Sequence, residues 1–366
     1  MISLTKTARN ILVLHCGRLT PSLLDPRLLK PLIDAGCCFP AASSTSLNPE
    51  IARASLMTGS LNPGPGQKHL GEIFSDAGFE CVHWGAVRHP ETLRGFTLLP
   101  ADSRVPEAEF CKTDSLTEIL CAEFLKSNRP KRFLGFAEID SIRDFQALAE
   151  GQSSAVTPQD NPDSREEYNR YAETAIARIT GILESLKIGP NGETTSVILI
   201  ADIGLPAGPG TGFHRQTINV PFILSGPGTG KPGRVFGAVL ASTADLVPTL
   251  CGLAGIDLPG NSYARDLTKV LLSQEGTSPP SPRDMAAASA DNPASRMIRS
   301  FSYKYSHYSA TGKEDLFRLT PDPDEKENLA EHRGYLDTLI YHRRLMKKHL
   351  DNERDNYPFP FVKFSQ

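Results

Sequence analysis

Short apolar runs alternate with amphipathic stretches along this chain. Ile11–Cys16 reads as one apolar run, the pattern of a strand buried on both faces. Leu70, Ile73, Phe74 and Ala77 then form a helical stripe, and Gly78 is its stop. Glu80–Trp84 reads as the next strand. Ser115-Leu116-Thr117-Glu118 is a capping box, predicting a helix with Leu116, Ile119, Leu120 and Phe124 on one face. Arg132–Ile139 follows as a strand. A second capping box, Ser164-Arg165-Glu166-Glu167, precedes apolar positions at helical spacing: Tyr168, Ala172, Ala175, Ile176, Ile179, Ile182, Leu183 and Leu186. Val197–Ala201 and Pro221–Leu224 complete the strand candidates. The alternation predicts an α/β fold, a mostly parallel or mixed central sheet flanked by helices.

The pattern changes near the end. Ser273–Arg296 is rich in Ser, Pro, Ala and Asp without periodicity, which predicts a linker or long surface loop. Ser300–Tyr308 and Asp315–Leu319 read as a hairpin. Leu336, Leu339, Ile340, Arg343 and Met346 mark a terminal helix. The expected division is residues 1–272 as the α/β domain, 273–296 as the linker, and 297–366 as a small C-terminal α+β subdomain with an antiparallel sheet plus helix.

Composition narrows the function classes. A net charge of −3 over 366 residues argues against nucleic acid or an anionic membrane as partner. No run approaches a membrane span, and residues 1–7 lack the apolar core of a signal peptide. The seven cysteines have no metal-like spacing, so reduced thiols and a cytoplasmic location are expected.

Residues Thr45–Gly59 read TSLNPEIARASLMTG, and the second half resembles the end of C-x-P-S-R-A-S-L-L-T-G, the sulfatase signature. Five further blocks resemble that family in order. They are Asn10–Pro21 (NILVLHCGRLTP), Ser196–Gly204 (SVILIADIG), Asn219–Gly228 (NVPFILSGPG), Ser242–Leu258 (STADLVPTLCGLAGIDL) and Asp315–Ala330 (DLFRLTPDPDEKENLA). The chain is thus similar to the sulfatase branch of the alkaline phosphatase superfamily. The resemblance implies that family's α/β fold with a small C-terminal sheet.

Position by position, the resemblance also implies loss of the family's chemistry. Its nucleophile, a cysteine oxidised to formylglycine, falls on Pro49, four residues before Arg53. Proline has no thiol, hydroxyl or carboxylate. The paired metal-binding aspartates fall on Gly17 and Arg18, and the second metal pair on Asp202 and Ile203. One carboxylate is a poor donor set for a hard dication, so neither a metal nor another cofactor is expected. The family's other active-site cations map near Ala86, Ile142 and Gly210.

The vestigial pocket then comprises Gly17, Arg18, Pro49, Arg53, Asp202, Ile203 and His214. Arg53 and Asp202 also have simple structural readings, as a pairing residue and a loop cap. His83 and His214 read as ordinary strand and loop histidines. Ser43, Ser44, Thr45 and Ser46 offer hydroxyls, and Gly208–Gly212 an anion cradle, each without a second supporting signal. An Arg18–Asp202 ion pair, shared with Arg53, would replace the metal's charge; otherwise Arg18 faces solvent and Asp202 caps its own loop.

Three functions follow. One is a catalytically inactive sulfatase-like protein that binds a ligand or assembles. The second is a remodelled, metal-independent hydrolase or transferase acting on a sulfate or phosphate ester. The third is a structural partner subunit, with the apolar tail Tyr357–Val362 as a contact. The partners considered are a small anionic ligand and a protein.

Overall fold

The computed structural model describes residues 8–360, except 88, 100–109, 141, 143–160, 207–211, 259–262, 275–280 and 292–293; residues 110–115 are described by backbone alone. The Gly208–Gly212 cradle and part of the apolar tail therefore lie mostly or partly outside the described residues.

The central sheet has eight strands. They are β1 (Asn10–Cys16), β2 (Cys37–Cys38), β3 (Glu80–Trp84), β4 (Thr97–Leu99), β5 (Phe133–Ile139), β6 (Thr195–Ile200), β7 (Phe222–Ser225) and β8 (Arg234–Val235). Their order is β4-β3-β5-β1-β6-β7-β2-β8. From β4 to β6 every pairing is parallel; β7 runs antiparallel to β6. The expected mixed α/β sheet is present, with short strands β2, β4 and β8, of which β4 and β8 are the edges, that lack a run long enough to show in the sequence.

The main helices are α1 (Pro26–Asp34), α2 (Pro49–Thr58), α3 (Leu70–Asp76), α4 (Phe110–Lys126), α5 (Pro162–Ile188), α6 (Leu246–Ala254) and α7 (Leu336–Asn352). Strand side chains alternate between two cores. Ile11, Val13, Phe136, Ile198 and Ile200 face the α2, α3 and α6 layer. Leu12, Leu14, Val82, Trp84 and Leu199 face the layer of α1, α4 and α5. The period of two is what places the polar residues of the site, described below.

Two helix starts differ from expectation. Helix α5 begins at Asn161, whose side chain accepts from the amides of Asp163 and Ser164, with Pro162 in the first turn. An Asn cap followed by Pro outcompetes the Ser164 box because Pro needs no amide partner there. Helix α4 starts at Phe110, so Ser115 is interior. Leu116 and Ile119 are exposed, and the buried face is Thr117, Cys121, Phe124 and Leu125.

Residues 273–296 are not wholly a linker. Ala286–Asp291 forms β9 and Ala294–Arg299 forms β10, which join β11 (Tyr303–Tyr308) and β12 (Lys313–Arg318) in an antiparallel sheet, order β12-β11-β10-β9. The alanines that hid this strand are buried: Ala286, Ala287 and Ala288 are at most 2% exposed. Small side chains let β9 sit close to its neighbours without the bulky alternation that marks a strand in sequence. β9 also touches the main domain, where Leu47 N donates to Ser289 O and Ser289 N to Thr45 O. The hairpin and terminal helix stand as expected.

Candidate functional site

Strand β1 ends in His15 and Cys16, and β5 ends in Glu138 and Ile139; in the parallel register His15 is directly paired with Glu138. Strand β3 brings His83 level with Phe136. His15, His83, Phe136 and Glu138 share the sheet face beneath α2, and Arg53 descends from that helix. Phe136 forms the floor. Its ring stacks with His15 at 5.7 Å and with His83 at 6.0 Å, and the Arg53 guanidinium lies 4.8 Å from its centre.

Glu138 is the hub. Its Oε2 accepts from Arg53 Nη2 at 3.1 Å and from His83 Nε2 at 3.0 Å. His15 Nδ1 stands 3.5 Å from Oε1, an ion-pair approach rather than a hydrogen bond. The other ring nitrogen, Nε2, is 3.4 Å from Asp202 Oδ1 at the end of β6. The five side chains are at most 5% exposed.

Burial alone would raise the Glu138 pKa. The Arg53 charge, with the close approach of His15 and the hydrogen bond from His83, overcomes it and holds the carboxyl well below 4.5. Burial would likewise lower His15, yet Asp202 and Glu138 outweigh burial and Arg53, and its pKa rises above 6.5. The Asp202 amide also points at His15 Nε2, at 3.2 Å. That nitrogen therefore accepts from the amide when the ring is neutral and faces the carboxylate when it is charged.

Of the residues expected in the vestigial pocket, Arg53 and Asp202 enter this cluster. Asp202 Oδ1 also accepts from the Ile203 amide at 2.8 Å, so it does cap its own loop. Arg18 does not face solvent. It is 4% exposed, and its Nη1 donates to Gly204 O at 3.1 Å. Its backbone has φ of 67°, a strained left-handed conformation for a side-chain-bearing residue. Arg18 N donates to Ile203 O, and Tyr168 Oη bridges Arg18 O and Thr20 N. The turns after β1 and β6 are thus clipped together through the backbone. His15 Nε2 is the imidazole that approaches Asp202, at 3.4 Å.

Pro49 opens α2. Asn48 caps that helix, its Oδ1 accepting from Glu50 N at 2.9 Å. The open end of the helix carries a prolyl nitrogen without a proton, an Asn cap and the Glu50 carboxylate. His214 starts the short helix Arg215–Ile218. This loop is tied to the small sheet: buried Lys304 Nζ donates to Phe213 O and Glu325, and Glu325 accepts from Arg215 N. Ala86 and Ile142, at two of the mapped cation positions, are buried apolar residues.

The donors do not fit a hard dication. Gly17 offers no side chain, Arg18 is cationic, Ile203 is apolar, and Asp202 is engaged by His15 and the Ile203 amide. Among the described residues, no three His, Cys, Asp or Glu side chains are grouped to hold one ion.

Sequence reasoning did not single out His15 and Glu138, and it read His83 as an ordinary strand residue. A signal was available: each is a titratable residue near the C-terminal end of an otherwise apolar strand, where open α/β sheets place their sites.

Comparison with known proteins agrees with this architecture. The chain is 26% identical over 353 residues to a Delta 4,5-hexuronate-2-O-sulfatase of Bacteroides thetaiotaomicron, covering 79% of this chain and 72% of the relative. It is 35% identical over 145 residues to a choline-sulfatase of Rhizobium meliloti, covering 38% of this chain and 28% of that one. A solved 2-O GAG sulfatase superposes with a TM-score of 0.82 at 22% identity, over 96% of this chain and 94% of that one. A phosphonate monoester hydrolase of Agrobacterium radiobacter superposes at 0.69 and 17% identity, over 94% and 96%. No family model matches. The chain is thus similar to sulfatases in sequence over most of its length and shares their fold.

Proposed function

We propose that this sulfatase-like protein does not cleave esters and acts by binding or assembly. One observation carries the reading: at the nucleophile position stands Pro49, opening a capped helix, while the surviving Arg53 is committed to an internal carboxylate. A nucleophile, a metal and transition-state cations each contribute on the order of 10² or more in rate, so their joint loss leaves negligible turnover. Burial of Arg18, Arg53 and Asp202 favours this reading over a remodelled hydrolase, which needs them in an open cleft. A cytoplasmic location belongs to the same proposal; the six cysteines with described side chains are buried and reduced.

The test is hydrolysis by the purified protein of an aryl sulfate, an aryl phosphate and a 2-O-sulfated Δ4,5-hexuronate, the last chosen from the relative's name. Each is assayed with and without added Ca²⁺ or Mg²⁺. The expected result is no turnover above buffer. Turnover that scales with protein and disappears in Arg53→Ala would overturn it.

A further inference from the structure

Three basic side chains from three separate elements converge on one anion, two of them by hydrogen bonds. Arg53 comes from α2, His15 from β1 and His83 from β3, and all meet the Glu138 carboxylate of β5. All are desolvated, and the Phe136 ring underlies both imidazoles and the guanidinium. Fixed, dry donors around a charge are how proteins hold a bound oxyanion. The fit is incomplete in an informative way. Glu138 engages only Nη2 of Arg53, while Nε and Nη1 are buried without a hydrogen-bond partner. An arginine fork has five N–H donors, and an anion with three or four oxygens reaches more of them than a carboxylate does.

We propose that the top of the sheet is an oxyanion-binding centre permanently occupied by the chain's own Glu138 carboxylate, which stands where a sulfate or phosphate group would be held. This rests on the reading of the site as non-hydrolytic and deepens it: the centre is filled as well as stripped of its chemistry. The backbone is arranged for the intrusion. Gly85, just after β3, has φ of 121°, and a Cβ there would lie 2.8 Å from Glu138 Cβ and 2.9 Å from its carbonyl oxygen.

Glu138→Ala removes one CH₂ and the carboxylate, a volume shaped like acetate. The experiment follows thermal unfolding of wild type, Glu138→Ala and Arg53→Ala/Glu138→Ala. Sodium acetate or sodium sulfate is titrated against sodium chloride at equal ionic strength. The expected result is a lower Tm for Glu138→Ala that both oxyanions raise saturably, as ligands specific for the folded state must. Wild type and the double variant should show no response beyond the chloride control. A Glu138→Ala response no larger than that of wild type, or an equal one in the double variant, overturns the proposal.

Should Glu138→Ala not fold, Glu138→Gln gives a second readout. It keeps the shape and removes the charge, so a carboxylate held as an anion predicts a large drop in Tm, and an unchanged Tm overturns the proposal. Ester hydrolysis by wild type would sink the non-hydrolytic reading while leaving these variant responses as they are, so the two failures are distinguishable.

Discussion

His83 and Arg53 reach the same oxygen of Glu138, the imidazole at 3.0 Å and the guanidinium at 3.1 Å. One acceptor atom thus joins β3 and α2 to β5 beneath a layer that excludes water. A buried charge balance therefore sits within the apolar packing at this end of the sheet.

Removing Arg53 leaves the Glu138 carboxylate facing two imidazoles without its guanidinium. Arg53→Ala should cost about 3–5 kcal/mol, the range for breaking a buried pair from one side. Arg53→Met/Glu138→Gln, which removes both charges and keeps volume, should cost clearly less than Arg53→Ala. Urea unfolding measures both, and a double variant at least as unstable as Arg53→Ala would contradict the charge account.

Two histidines give stability opposite pH dependences. His349 is driven down to about 4, first by burial, so it is neutral when folded. Its contribution is complete above its ordinary value of 6.5 and is lost as pH falls through about 4. His349→Phe should flatten the acid side of the stability profile. His15 is raised, so its contribution is complete below 6.5 and is lost as pH climbs through its folded value. In His15→Phe the alkaline decline should be weaker, and an unaltered profile would mean the ring does not carry charge there.

On the proposed reading, a thiol at position 49 should not by itself confer catalysis. Pro49→Cys supplies the cysteine of the family signature, but Gly17, Arg18 and Ile203 still offer no carboxylate donors to a metal. Even with a formylglycine-generating enzyme present, aryl sulfate turnover should stay at the buffer rate. Measurable turnover from this single change would show that the metal-site argument fails.

Gly85→Ala should destabilise by several kcal/mol on two counts. The position needs positive φ, and the new methyl meets Glu138 atoms at 2.8 and 2.9 Å. Gly78→Ala, with φ of 83° and nothing within 4 Å, gives the cost of positive φ without a clash, and Gly85→Ala should exceed it. Chemical denaturation of both variants is the check, and a Gly85→Ala cost no larger than that of Gly78→Ala would mean Glu138 yields to the methyl.

The fold was legible where periodicity was strong. The β1 run, the α5 stripe and the β11–β12 hairpin could be read directly, because burial on one or both faces dictates the spacing of apolar residues. β9 was hidden because alanine marks neither a strand nor a surface. Of the site positions read from the resemblance, Arg53 and Asp202 do meet in one buried cluster. The rest of that cluster was hidden because His15, His83 and Glu138 are distant in sequence. Only the register of three parallel strands brings them level, and no local pattern encodes that register.

The strand order has a consequence for biosynthesis. β1 lies at residues 10–16, yet its two neighbours are β5 at 133–139 and β6 at 195–200. β1 precedes both partners in synthesis, so one edge can pair only once β5 has been made and the other only once β6 has followed. Until then Ile11–Leu14, at most 1% exposed in the finished protein, is an open and sticky template. A nascent chain stalled before residue 195 should therefore be a substrate for chaperones, not a folded intermediate.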